Sequence, residues 1–332
     1  MSATSRKIPL AAVYSWLAGL LIAAFWGALS VGPSTFSIAQ AIRDPASDLG
    51  LILWDIRLPR AILGALVGAT LGLAGASMQG FLRNPLAEPG VLGVSGGAAF
   101  GAVLVYYTGW GALFWFSLPL GGILGALLTV FFLYLFSGKL SSAHTLILTG
   151  VAVNVLALSG TSLFLNLCKD PYAVLDIVFW QMGSLSDRSF EHVLLALPCI
   201  FAGWGLLLWD PRALDALGLG EETAASLGIG LRALRLRTIL GTAFCVGASV
   251  AICGSIAFVG LVIPHLLRPF VNYEPGKLLG VSAIGGAILL LLSDIAVRLI
   301  PTSQELKLGV LTSLIGAPFF ILLVFKMRKD LS

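Results

Sequence analysis

Polar residues fall in short clusters along this chain, and the apolar stretches between them are far longer than a helix at the surface of a soluble domain needs. Leu10 to Val31, Ala61 to Gly80 and Thr145 to Leu167 carry no charged residue at all. Each holds roughly 20 residues, enough to cross a hydrocarbon core about 30 Å thick. Backbone N–H and C=O groups in lipid must be bonded within the chain, so each stretch is predicted to be a helix. The same pattern predicts ten spans, near 10–31, 61–81, 91–108, 113–136, 145–167, 190–209, 234–256, 257–271, 278–299 and 308–326. The eighth is short and contains Pro264, His265, Arg268 and Pro269. It is expected as a broken or partial span enclosed by protein rather than lipid. The predicted fold is all-α and polytopic, with residues 1–332 forming one transmembrane domain.

Composition agrees. Of 332 residues, 58% are hydrophobic and only 11% charged, against about 25% charged in an average soluble domain. The net charge of +4 comes from basic residues scattered singly at the ends of apolar runs. Without a basic stripe, this excludes nucleic acid as a partner and leaves membrane lipid. Arg6 and Lys7 precede a run longer than a signal-peptide core of about 7–15 residues, so a retained first span is expected. With ten spans and the N-terminus inside, thirteen basic residues fall on the inner side and seven on the outer. The positive-inside rule therefore places both termini in the cytoplasm.

The 39 glycines imply close helix packing. Gly64, Gly68 and Gly72 recur every four residues, which bares one stripe of the second span so that a neighbour can approach. Cys168, Cys199, Cys245 and Cys253 show no C-x-x-C spacing and give neither a metal site nor a disulfide framework. His144, His192 and His265 lie in separate segments, and neither H-E-x-x-H nor G-x-S-x-G occurs, which argues against an intramembrane enzyme. Asp294 and Arg298, four apart in the ninth span, are placed to pair with each other. One pair is sparse for an ion-coupled secondary transporter, the competing transport reading.

One polar interruption stands apart. Gly218 to Gly230 reads GLGEETAASLGIG. Gly220 suits an N-cap, Glu221 and Glu222 suit the positive end of a helix dipole, and Gly228 suits the left-handed position after a helix. This predicts a two-turn helix at about 219–228. So short a helix is marginal alone. It either lies on its own protein or on lipid headgroups, or it docks a cytoplasmic partner.

The ordered segments IRLPRAILGALVGATLGLAGASMQGFLRNPLAEPGVLGVSGGA (56–98), GSIAFVGLVIPHLLRPF (254–270), LLSDIAVRLI (291–300) and ELKLGVLTSLIGAPFF (305–320) resemble the FecCD family. Its members are permease subunits of type II ABC importers for iron-siderophore complexes, haem and cobalamin. The resemblance implies a homodimer, or a pair of similar permeases, in a bacterial inner membrane. It also implies two ATP-binding cassette subunits holding ATP and Mg, and a periplasmic or lipoprotein substrate-binding protein. No cofactor, metal or catalytic residue is expected on this chain. G-x-x-x-x-G-K-[ST] is absent, which fits an ATPase on another chain. By resemblance, Gly220, Glu221, Glu222, Ala224, Ala225, Leu227 and Gly228 form the coupling helix. Arg57, Arg60 and Arg298 are expected to receive acidic residues of the binding protein, the alternative being that they simply snorkel to the interface. Asn84 and Leu86 with Ala143 and His144 correspond to a cytoplasmic gate. Ala143 and His144 depart from the hydroxyl residues usual there. Gly150, Ala152, Ser159, Gly160 and Ser162 are expected along the pathway. An iron complex is the expected cargo, with cobalamin the alternative.

Overall fold

The computed structural model describes residues 9–32, 37–112, 114, 116–137, 143–302 and 305–330. Its helices are α1 (Leu10–Ser30), α2 (Ile38–Arg43), α3 (Asp48–Leu51), α4 (Leu58–Phe81), α5 (Val94–Tyr107), α6 (Ser117–Ser137), α7 (Ala143–Leu167), α8 (Pro171–Gln181), α9 (Phe190–Leu207), α10 (Pro211–Gly218), α11 (Glu221–Ser226), α12 (Leu231–Cys253), α13 (Val259–Leu267), α14 (Pro275–Leu299) and α15 (Leu308–Asp330). Seven are long and apolar enough to cross a membrane, and three shorter apolar segments lie in α5, at Val259–Val271 and in α15. These coincide with the ten predicted spans.

The apolar pattern does not reveal four further helices. α8 and α10 each begin at an Asp-Pro pair. Asp170 caps α8 by accepting from the N–H of Tyr172 at 2.9 Å, and Asp210 caps α10 by accepting from Ala213 at 3.3 Å. An N-cap carboxylate followed by proline at the first helical position is a helix-start signal in both places. α2 and α3 precede α4, and wide-turn helix over Ile52–Arg57 makes α3 and α4 continuous.

Burial separates the inner helices from the outer ones. In α4, 83% of the apolar window is buried and in α12 78%, against 17% in α1 and 28% in α7. Glycine explains how α4 becomes central. A Cβ at Gly68 would overlap the Gly286 carbonyl of α14, and one at Gly72 would overlap the Ser282 carbonyl. The predicted stripe is thus a seam along which two backbones touch. α5 and α6 repeat the device through Gly97 with Gly125 and Gly101 with Gly121.

α13 is the expected broken span. Pro264 has no N–H to give the carbonyl of Gly260, one turn earlier. Gln79 of α4, 2% exposed, instead donates to the carbonyls of Gly260 and Leu261, each at 3.3 Å, and accepts from Arg268. At the other end Glu88 accepts from the Phe258 N–H at 2.8 Å. Both polar ends of the break are therefore satisfied by protein, as an interrupted helix at membrane depth requires.

Candidate functional site

Two polar constellations stand at opposite ends of the α4–α14 pair. The first gathers all three sequence-selected arginines. Arg60 of α4 donates to Asp294 of α14 at 2.8 Å and also pairs with Glu305. Arg298, one turn beyond Asp294, pairs with it at 3.0 Å, as the four-residue spacing predicts, and donates to the carbonyls of Ala28 and Val31. Arg57 donates to the carbonyls of Leu29 and Ser30, each at 2.8 Å. Arg57 and Arg298 thus supply the donors that the C-terminal carbonyls of α1 lack inside their own helix.

None of the three snorkels. Arg57 is 5% exposed, and the side chains of Arg60 and Arg298 are buried to a similar degree. The group lines a mouth of 540 Å³ with Ser186, Asp187 and Glu305. The three guanidiniums are matched by three carboxylates, Asp294, Glu305 and the exposed Asp187.

Glu305, not selected from the sequence, is an exposed acid of this mouth that Arg60 and Ser186 hold. Burial pushes its carboxyl up, but hydrogen bonds from Arg60 and Ser186 and the charges of Arg60 and Arg298 outweigh that and hold it below the ordinary carboxylate range. A lowered folded-state value contributes stability above the unfolded value of about 4.3, which is lost as pH falls through the lowered value. Thermal unfolding in detergent is expected to move to lower temperature on acidification below about pH 4. Glu305→Gln is expected to flatten that step, and an unchanged pH profile would contradict the assignment.

The second constellation is at the other end. α11 is built as predicted. Gly220 precedes it at φ +115°, and Gly228 follows it at φ +83°. The Gly228 N–H donates to Ala225 O at 2.9 Å and the Ile229 N–H to Ala224 O at 3.0 Å, the paired bonds of a Schellman close. The helix shows two faces. Ala224 is fully buried against the chain itself, whereas Glu221, Glu222, Ala225 and Leu227 are exposed, Leu227 by 62%. Glu221 meets Arg83, which follows α4, at 3.8 Å, an exposed pair worth at most about 1 kcal/mol.

The gate residues are brought together only in part. Asn84 Oδ1 accepts from the Leu86 N–H at 2.9 Å, so the Asn-Pro-Leu segment is a tight Asx turn. Ala143 begins α7 and His144 is exposed on its first turn, while Ser142 and Lys139 lie outside the described residues. α7 meets the chain following this turn further along, where a Cβ at Gly93 would lie 2.8 Å from the Gly150 carbonyl and 3.2 Å from Asn154. Of the small residues expected along the pathway, Ser159 and Gly160 line an apolar groove of 440 Å³ with α5 and α6. Among the described residues no group of three or more His, Cys, Asp or Glu is placed to hold a metal ion.

The described residues thus form a glycine-seamed bundle of membrane-spanning helices with an interrupted span, an arginine mouth at one end and a capped surface helix at the other. Comparison with known proteins gives its family. The model of the FecCD transport family matches residues 20–326, and the chain belongs to that family. It is 40% identical over 283 residues to the ABC transporter permease protein YvrB of Bacillus subtilis (strain 168), covering 84% of this chain and 80% of that one. It is 39% identical over 284 residues to the vitamin B12 import system permease protein BtuC of Salmonella typhi, covering 84% and 85%. A solved structure of an inward-facing ABC transporter of metal-chelate type superposes with a TM-score of 0.85 at 32% identity, over 96% of this chain and 99% of that one. PsaBC from Streptococcus pneumoniae shares the fold at a TM-score of 0.57 and 18% identity, over 86% of this chain and 95% of that one. The chain is an ABC importer permease of the FecCD type, embedded in the membrane by multiple spans.

Proposed function

We propose that this chain, as a pair of identical copies in a bacterial inner membrane, passes a bulky metal chelate into the cytoplasm by alternating access, driven by separate ATP-binding subunits. The cargo we favour is a ferric siderophore or haem. The likeness to a metal-chelate type transporter supports a chelate, and the 39% identity to a vitamin B12 permease favours cobalamin as the second reading. Both termini face the cytoplasm in this reading, and ATP and Mg belong to the partner subunits.

The observation that carries the proposal is α11, a two-turn helix with one face seated on its own chain and the other open. The open face of Glu221, Glu222, Ala225 and Leu227 is the handle for the ATP-binding subunit, while Ala224 is the root that holds it. No bond in the cargo is made or broken. A groove of 620 Å³ along α15, where Gln181, Ser255 and Ser313 interrupt an apolar wall, offers one copy's share of a passage that the second copy completes. The arginine mouth is the docking place for acidic residues of a binding protein. Glu305 already occupies Arg60 there, so an incoming carboxylate must compete with it, giving register and steering more than raw affinity. Asn84 and Leu86 with Ala143 and His144 remain our choice for the inner gate.

The test is reconstitution with the cognate ATP-binding subunits and binding protein in vesicles. Binding protein loaded in turn with a ferric siderophore, haem or cobalamin is expected to raise ATP hydrolysis several-fold for one of the three. Leu227→Asp is expected to abolish co-purification of the ATP-binding subunits while the chain stays folded. Uptake driven by an ion gradient without those subunits would overturn the proposal in favour of a secondary transporter.

A further inference from the structure

α10 is the link between the surface helix and the body of the bundle. Only Leu219 and Gly220 separate it from α11, and the two helices pack on each other. On its other side α10 buries Ala213, Leu214 and Leu217, with Leu214 lying 3.7 Å from where a Cβ on Gly80 of α4 would be. Its polar tie to the spanning helix α14 is directional. Asp215 Oδ1 accepts the backbone N–H of Gly276 at 2.7 Å.

Gly276 lies in the first turn of α14, where N–H groups have no partner inside the helix and the dipole favours a negative charge. The approach needs glycine. A Cβ on Gly276 would stand 2.7 Å from Asp215 Oδ2 and 2.8 Å from the Pro211 carbonyl. The Asp215 carboxylate and the Pro211 carbonyl of α10 therefore bear directly on the α14 backbone, with no side chain of α14 between them. From there α14 runs along its glycine seam with α4 to Asp294, about 27 Å away at 1.5 Å per residue, and one turn further to Arg298. Arg60 and Asp294 tie the same two helices together at that far end.

We infer that Asp215 is a positioning residue through which displacement of α11 is handed to α14, and that the α4–α14 pair carries it as one body to the arginine mouth. The inference rests on the proposal that α11 is the docking element. Apolar contacts such as Leu214 resist a push but slide under shear. A hydrogen bond from a backbone amide to a carboxylate resists push, pull and shear alike. The backbone-to-backbone seam at Gly68 and Gly72 leaves no flexible side chain between α4 and α14 to absorb the movement.

A plain cap and a force-bearing contact both predict some loss of stability when Asp215 is removed, so the test reads motion. The full complex with its ATP-binding subunits is spin-labelled at Leu299→Cys, an exposed position at the far end of α14, with Cys168→Ala and Cys199→Ala to remove the accessible thiols. The distance between the two labels is measured by pulsed electron resonance with and without Mg-ATP and vanadate. With Asp215 present, nucleotide is expected to shift the distance. Asp215→Ala is expected to lose at least half of that shift while retaining the ATP-binding subunits and their hydrolysis. Asp215→Asn, which can still accept from the amide, is expected to restore most of it. If Asp215→Ala fails to assemble, Asp215→Ser, too short to reach the amide, takes its place with the same expected loss. A full shift in a variant lacking the hydrogen bond overturns the inference and leaves the proposed function standing. No nucleotide-dependent shift with Asp215 present, or no association with ATP-binding subunits, overturns both.

Discussion

Asp294→Ala is expected to deplete the folded protein from the membrane more severely than truncation of any other side chain in the arginine mouth. Asp294 is 1% exposed and is the shared partner of Arg60 and Arg298. Its removal leaves two largely buried guanidiniums, with Arg60 retaining Glu305 and Arg298 retaining carbonyls of α1. Breaking a buried ion pair by deleting one partner costs about 3–5 kcal/mol, because the remaining charge stays desolvated. That is a large share of a typical stability of about 5–15 kcal/mol. Fluorescence-detected size-exclusion chromatography of detergent extracts is expected to show a collapsed monodisperse peak. Asp294→Asn, which keeps the shape and two acceptor lone pairs, is expected to recover part of it. A normal peak for the alanine variant would mean that Glu305 and the α1 carbonyls neutralise the mouth unaided.

Gly68→Leu is expected to have the second large effect, by a different route. The obstruction a Cβ meets there is the Gly286 backbone, with its carbonyl carbon 2.8 Å away, so no rotamer change makes room. Overpacking usually costs about 1–3 kcal/mol where side chains can move aside. Here two helices must separate along their seam, so a cost at or above the top of that range is expected. It should register as a fall in the apparent Tm together with loss of nucleotide-dependent uptake. Gly19→Leu, at a position with open space around it, is the matched control and should change neither. Equal behaviour of the two variants would show that the seam has no special role.

The spans are legible in the sequence because lipid imposes one rule on every residue in them. Length and lack of charge suffice to mark a helix, and they even isolate α13 as the irregular one. The segments between the spans obey no such rule. α8 and α10 are hidden because their apolar runs are too short to cross a membrane, although Asp170-Pro171 and Asp210-Pro211 announce their starts. The extension from Asp48 into α4 escapes the pattern because Asp55 and Arg57 read as the end of an apolar run rather than the middle of a helix.

Site residues follow the same division. Arg57, Arg60 and Arg298 stand out because a cation beside a span is conspicuous, and the structure unites them. Their partners are only half visible. Asp294 is betrayed by its spacing from Arg298, whereas Glu305 sits 245 positions from Arg60 and no local pattern joins them. Ala224 shows the reverse. Its place in a short helix is clear from the chain, but only the fold reveals that it faces inward while Leu227 faces out.

The interrupted span has a consequence for how the polypeptide is made. Val259 to Val271 is too short, and too burdened by Pro264 and Arg268, to enter lipid on its own as an independent rod. The group that answers the carbonyl orphaned by Pro264 is Gln79, synthesised some 180 residues earlier. Insertion strictly one hairpin at a time is therefore expected to fail at this segment. The eighth segment is expected to take up its position only when α4 is already there to receive it. The polar groups of the earlier chain that wait for this segment are the Gln79 amide and the Glu88 carboxyl.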